Sequence, residues 1–261
     1  LNQFVQAEKI TKDLKPTYGS IQKLHTRDTN LITLCEDKIL KVLANKDALF
    51  NADGNVNLTA TANVLGQTTP FAGEYGISKN PESFASESFR AYFTDKSRGA
   101  VLRLSQDGLT PISEVGMKDW FSDNLKEANS LIGSYDDRKS TYNLTLNSVS
   151  NLLVDLPIDD KENQLTISFA EKVKGWSSFK SFIPESGESL NNNYYTFYQG
   201  NIWRHHDDTV DRNSFYRYIF NSTVTVLLND DPGSVKSYGT LNYEGSQARI
   251  TENVEDNEYY N

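Results

Sequence analysis

The string "RHHDD", Arg204 to Asp208, gathers more chemistry-bearing side chains than any other stretch of the chain. Two imidazoles beside two carboxylates are the raw material of a metal site or an acid–base pair. Spacing argues against both. On a strand, adjacent side chains point to opposite faces, so neighbours cannot share a metal. His205 and Asp207 are the pair able to face together, and two ligands are too few for a site. A structural or surface role is the expectation for this cluster. The same reasoning covers the paired carboxylates Asp136-Asp137, Asp159-Asp160 and Asp230-Asp231, which fall where turns are expected. Glycoside hydrolysis needs two carboxyls about 5–10 Å apart across a cleft, and neighbours at a turn do not predict that.

Other stretches are weaker still. "NADGNVN", Asn51 to Asn57, offers oxygen ligands suited to calcium, but not in the order of an EF-hand loop. The one cysteine, Cys35, sits in the strand-like run "NLITLCEDKIL", where a buried, inert thiol is expected, and it excludes an internal disulfide. Nucleophile elbows and phosphate-binding loops are not found. "SQDGLTPI" resembles a sialidase Asp-box that lacks one residue and the Trp, and such boxes are turns rather than catalytic groups. The sequence therefore predicts no enzyme, and assigns no catalytic, cofactor-binding or metal-ligating residue.

The elements around these residues read as β. Ser88 to Gly108, "SFRAYFTDKSRGAVLRLSQDG", alternates apolar and polar residues on both sides of Asp95-Lys96-Ser97-Arg98-Gly99. That pattern predicts a hairpin whose charged knot is its tip, with Gly99 at a positive φ. "ITLCEDKILKVL", "LIGSYDDRKSTYNLTL" and "NNYYTFYQGNIWRHH" repeat strand, tip, strand, and Tyr135 follows Tyr92 by 43 residues. Spacings of about 40–60 residues suggest one four-stranded antiparallel sheet per unit, as in a β-propeller blade. A β-sandwich is the competing architecture.

Between the hairpins, "SEVGMKDWFSDNLKEA" places Met117, Trp120, Phe121 and Leu125 on one helical face, which predicts a core-packed helix. In "NPESF", Asn80 is expected to cap a short turn begun by Pro81. Thr223 to Leu228 reads as a strand turned back by Asp231-Pro232-Gly233. The predicted organisation is an N-terminal helical or extended arm over 1–28, a mainly β, propeller-like domain over 29–243 with an insertion at 50–80, and an acidic linker over 244–261. The chain begins with Leu and its only Met is Met117, so it reads as a piece of a longer protein.

The totals narrow the partners. The 261 residues carry a net charge of −9, which argues against nucleic acid and against an anionic membrane surface. No run approaches the roughly 18 apolar residues of a membrane-spanning helix.

Two resemblances follow from these strings. Tyr92, Thr94, Asp95, Gly99, Val101 and Arg103 in "AYFTDKSRGAVLRLSQDG" resemble the inner hairpin of YWTD- and NHL-type propeller blades, where "Y-x-T-D" leads into "G-x-V-x-R". This implies fold, not function. The segments beginning "KVLANKDALF", "GLTPISEVGM", "KGWSSFKSFI" and "VLLNDDPGSV" are similar to stretches of large structural proteins of tailed bacteriophages, of marine myovirus and crAss-like types. That resemblance implies a virion part in the tail, neck or baseplate, oligomeric and bound to other virion subunits. It carries no catalytic residue. The alternatives are a receptor- or glycan-binding tail module, with the tyrosines and Trp203 stacking on sugars, and a propeller-type polysaccharide hydrolase.

Overall fold

The computed structural model describes residues 11–50, 56–147, 164–225, 232–240, 251–253 and 258–260. The chain divides into two units, Leu1–Asn221 and Ser222–Asn261. The first is a series of antiparallel sheets, each a meander of sequential strands. Sheet A contains β1 (Ile21–Arg27), β2 (Asn30–Cys35), β3 (Ile39–Phe50) and β4 (Val56–Pro70). Sheet B contains β5 (Ala85–Ser86), β6 (Ala91–Asp95), β7 (Ala100–Ser105) and β8 (Gly108–Pro111). Helix α1 (Lys118–Glu127) follows, then sheet C, with β9 (Ser130–Asp136), β10 (Thr141–Asn147), β11 (Leu165–Ala170) and β12 (Gly175–Lys180). Sheet D has three strands, β13 (Ser186–Leu190), β14 (Asn193–Tyr198) and β15 (Asn201–Arg204). A two-residue-per-strand hairpin, β16 (Ser214–Phe215) and β17 (Tyr218–Ile219), closes this unit. The second unit holds a short antiparallel pair, β18 (Thr251–Asn253) and β19 (Glu258–Tyr260). The chain is mainly β, with antiparallel sheets throughout.

Alternation along the strands explains how sheets A, B and C stack. On β6, Tyr92 belongs to one apolar cluster and Phe93 to another; on β7, Val101 and Leu102 divide in the same way. Sheet B is therefore buried on both faces, and its strands read as nearly continuous apolar runs. One face meets Ile32, Leu34 and Ile39 of sheet A. The other meets Tyr142, Leu144, Ile167 and Phe169 of sheet C, with Phe121 and Leu125 of α1. The remaining face of sheet C is buried but polar. There Ser168 Oγ donates to Asn143 Oδ1 at 2.6 Å, and Thr145 and Thr166 share a 2.7 Å hydrogen bond. Cross-strand hydroxyl pairs satisfy groups that burial would otherwise penalise.

The charged knot is the tip of the β6–β7 hairpin, with Asp95 opposite Ala100 and Gly99 at φ +65°. A Cβ on Gly99 would stand 2.7 Å from Ser122 Cα of α1, so glycine is demanded by packing as well as by conformation. Helix α1 buries Phe121 and Leu125, and its Trp120, with Met117 at its N-cap, packs against the same cluster. At the β14–β15 tip, Gln199 and Gly200 both have positive φ, the geometry of a two-residue turn that matches strand twist.

Several expectations need correction. The segment 1–28 contains β1, which pairs with β2, so sheet A begins inside the expected arm. The first compact unit runs to Asn221. Within the expected insertion at 50–80, β4 pairs along β3. Asn80 makes no side-chain cap; its carbonyl instead accepts from the Ser83 N–H and hydroxyl. Tyr135 is not the counterpart of Tyr92. Tyr92 stands three residues before Asp95 and pairs with Arg103, whereas Tyr135 stands one before Asp136 and pairs with Tyr142. The two rings stack on each other instead, with centroids 5.5 Å apart. Residues 223–225 are not strand, and 226–228 lie outside the described residues.

Candidate functional site

Three carboxylates at hairpin tips tie the successive sheets together. Asp95, at the end of β6, is fully buried. It accepts from the Arg98 N–H at 3.2 Å, as an acidic residue opening a tight turn does. It also accepts from the Gly76 N–H at 3.0 Å, Ser78 Oγ at 2.9 Å and Arg98 Nη1 at 2.9 Å. Gly76 and Ser78 lie in the loop after β4, where the Ile77 N–H donates to the Cys35 carbonyl and the Ser78 N–H to that of Glu36. Arg98 reaches on to Asp37 at 3.3 Å. Asp95 therefore locks sheet B to sheet A.

Glu171, just after β11, does the same between sheets B and C. Tyr92 OH donates to its Oε1 at 2.5 Å, and Arg103 Nη1 lies 3.2 Å from its Oε2. Arg90 Nε stands 3.6 Å away and pairs in turn with Glu87 at 2.8 Å. Burial, then the Glu171 hydrogen bond, pushes the Tyr92 phenol well above the ordinary tyrosine range. Its ring lies against Tyr135 and Tyr142 at 5.5 and 4.9 Å.

Asp136, ending β9, joins sheet C to sheet D. It accepts from the Lys139 N–H at 3.1 Å, and its Oδ2 lies 2.5 Å from His206 Nε2. Arg138 Nη1 donates to the His206 carbonyl at 2.9 Å. Ser189 Oγ on β13 donates to the Tyr135 carbonyl at 2.8 Å, and Ser134 and Tyr194 share a 2.7 Å hydrogen bond.

The structure thus separates "RHHDD" into different tasks. The strand ends at Arg204, which pairs with Asp207. His206 takes φ +59° and turns to Asp136. His205 is buried, with Nε2 2.7 Å from Thr196 Oγ1, which lies 2.9 Å from Tyr216 OH. A hydroxyl beside an imidazole is the spacing of an activated nucleophile. Thr196 is fully buried, however, and its hydroxyl is shared between the imidazole and Tyr216. Among the described residues, no three His, Cys, Asp or Glu side chains group as metal ligands. Cys35 is buried, and burial raises its thiol pKa. Asp159-Asp160 and Asp230-Asp231 lie outside the described residues, as do most of Asn51–Asn57.

Two clefts flank these locks. One of about 310 Å³, lined by Glu36, Asp37, Ser78, Lys79, Lys96 and Ser97, opens beside Asp95. The other, of about 240 Å³, lies among His25, Arg27, Glu87, Phe89 and Arg90. No protein-family model matches the chain, and no curated protein matches it. Among the described residues, no helix is long and apolar enough to cross a membrane.

Sequence reasoning passed over Glu171. A signal was present: "EKVKG" at 171–175 repeats the acid–Lys–x–base–Gly order of "DKSRG" at 95–99. The register differs by one, since Ala170 pairs with Gly175 whereas Asp95 pairs with Ala100.

His205 carries a pH prediction. Burial holds its imidazole down to about 4, against 6.5 for an exposed histidine, with His206 adding to the effect. Between those values the unfolded chain binds the proton and the folded chain does not. Stability therefore falls as pH drops from about 6.5 to about 4, by about 3 kcal/mol for this group. Urea unfolding of wild type and His205→Gln across that range checks this. The variant should lose that part of the acid slope; an unchanged slope contradicts it.

Proposed function

We propose that the chain is a non-enzymatic structural part of a tailed-phage virion, assembling with other tail, neck or baseplate subunits. The observation that carries this reading is the use made of the reactive-type groups. Asp95, Glu171 and Asp136 each span a different pair of adjacent sheets and are held by hydrogen bonds on both sides. A catalytic carboxylate faces a substrate, whereas these face neighbouring elements of their own chain. They are suited to keeping the sheets in fixed relation, as an assembly component requires. The biological setting is proposed from the resemblance of four segments to phage structural proteins, read from the sequence.

The finer architecture belongs to the same proposal. Three successive four-stranded meanders stack face to face, with β9 packed against both β5 and β13. This supports a propeller-like series in which the first strand of each sheet lies toward a common axis. Trp203, the residue best suited to stacking on a sugar, is half-buried beside Tyr216 and Arg217, which favours packing over glycan binding.

Density-gradient purification of particles tests the function. The chain should band with intact particles at a constant ratio to the other structural proteins. A chain that stays free in the lysate, or that turns over a cell-surface polysaccharide, contradicts the proposal.

A further inference from the structure

The β16–β17 hairpin is an element held in place by its neighbours. Each strand has two residues, and a lone hairpin is marginal in water. Its turn is made by Tyr216 and Arg217, at φ +53° and +71°. That conformation suits Asn-Gly and strains larger side chains, so it persists where contacts enforce it. The contacts are aromatic. Tyr216 is buried, stacks on Tyr198 with centroids 4.4 Å apart and meets the Trp203 ring edge-on at 5.5 Å. Arg217 lies over Trp203, and Phe215 meets Phe182 at 5.2 Å.

His205 sits against the hairpin. The rings of Phe182, Tyr194, Phe215 and Tyr216 surround its imidazole at 4.7, 5.0, 5.8 and 6.3 Å. Its Nε2, Thr196 Oγ1 and Tyr216 OH form a chain of two hydrogen bonds, of 2.7 and 2.9 Å. Two bonds need two protons, and the hydroxyls supply both when Nε2 carries none: Tyr216 donates to Thr196, and Thr196 to His205. A proton on Nε2 is a third for two bonds. One hydroxyl then loses its acceptor within the chain, and a cation stands in a buried site.

The groups facing the ring do not offset this. Tyr194 on β14 and Tyr216 in the hairpin are phenols that burial pushes above the ordinary range. Glu185, on the segment that carries Phe182, accepts instead from the Gln199 N–H. Asp136 of β9 favours a charged His205, but its Oδ2 is engaged by His206, which opposes that charge. Burial outweighs both and holds His205 at about 4.

We infer that the hairpin is an acid-released latch: protonation of His205 breaks the Tyr216–Thr196–His205 chain and frees β16–β17 from sheet D. Release uncovers Phe182, Tyr198 and Trp203. The closed form needs a neutral ring, whereas the open form lets the ring protonate at about 6.5, so opening is favoured as pH falls from about 6.5 toward about 4. The latch goes beyond the assembly reading and does not depend on it.

Native-state trypsin cleavage of the full chain tests it, with each rate normalised to a free peptide spanning the same site. Cleavage after Arg217 should rise about tenfold between pH 7.5 and 5.5. Cleavage after Arg103 in sheet B should stay at least about tenfold slower at both pH values, because the opening is local. His205→Gln keeps a side-chain partner for Thr196 without a proton to gain, and should be cut after Arg217 at rates within about twofold of each other at the two pH values. Tyr216→Phe removes one bond of the chain and should be cut faster at both. A wild-type rate after Arg217 that does not change with pH overturns the inference. So does cleavage after Arg103 in step with Arg217, which means the unit opens as a whole, or a His205→Gln variant that keeps the tenfold rise. If His205→Gln is already cut rapidly at pH 7.5, the NMR titration of His205 in wild type decides: a midpoint below about 5.5 sustains the latch, and one at or above that value overturns it.

Discussion

Gly133→Ala is expected to cost about 4 kcal/mol, at the severe end for a single methyl group. Gly133 lies in β9 where sheet C approaches sheet B. A Cβ there would stand 1.9 Å from the Ser83 carbonyl oxygen and 3.0 Å from Tyr142 Cε2. The backbone oxygen cannot swing aside as a flexible side chain does. It is also held in place, because Tyr142 OH donates to it at 2.7 Å. Relief requires the sheets to separate, which opens the cluster of Tyr92, Tyr142, Leu144 and Phe121. Gly233→Ala is the control: a Cβ there meets nothing within 4 Å, and the change should stay within about 0.5 kcal/mol. Urea midpoints at constant slope measure both. A loss below about 1 kcal/mol at Gly133 would show that β9 and the Pro81–Ser83 turn that leads into sheet B are not in backbone contact there.

Asp95→Ala is expected to cost about 2–4 kcal/mol, because it removes a fully buried acceptor and leaves the groups that donate to it unpaired. The change strips the acceptor from the Gly76 N–H and Ser78 Oγ and leaves the Arg98 guanidinium without its buried partner. Asp95→Asn keeps one acceptor oxygen and should recover about half of the loss. Asp37→Ala removes only the half-exposed partner of Arg98, and should cost no more than about 1 kcal/mol. If Asp95→Ala and Asp37→Ala prove equivalent, Asp95 is not a lock between sheets.

The hairpins were legible in the sequence because their causes are local. Period-two alternation on both sides of "DKSRG", "DDRKS" and "YQGN" sets strand, tip and strand without reference to the rest of the chain. The helix stripe from Met117 to Leu125 was legible for the same reason. β1 was not, since Ile21 and Leu24 are both largely exposed and "IQKLHTR" shows little buried alternation. The ribbon of β4 was hidden by its small polar residues, which resemble a loop until β3 is laid beside them. The locks depend on contacts far apart in sequence: Glu171 meets Tyr92 across 79 positions and Asp136 meets His206 across 70. A repeated acid at a tip can mark such a group, but only the fold names its partner.

The most direct test of the account is immunogold labelling of intact particles with an antibody against this chain. The account predicts gold at one substructure, in the tail, neck or baseplate, on intact or gently disrupted particles. Particles that stay unlabelled in both states, with the protein free in the lysate, would contradict it.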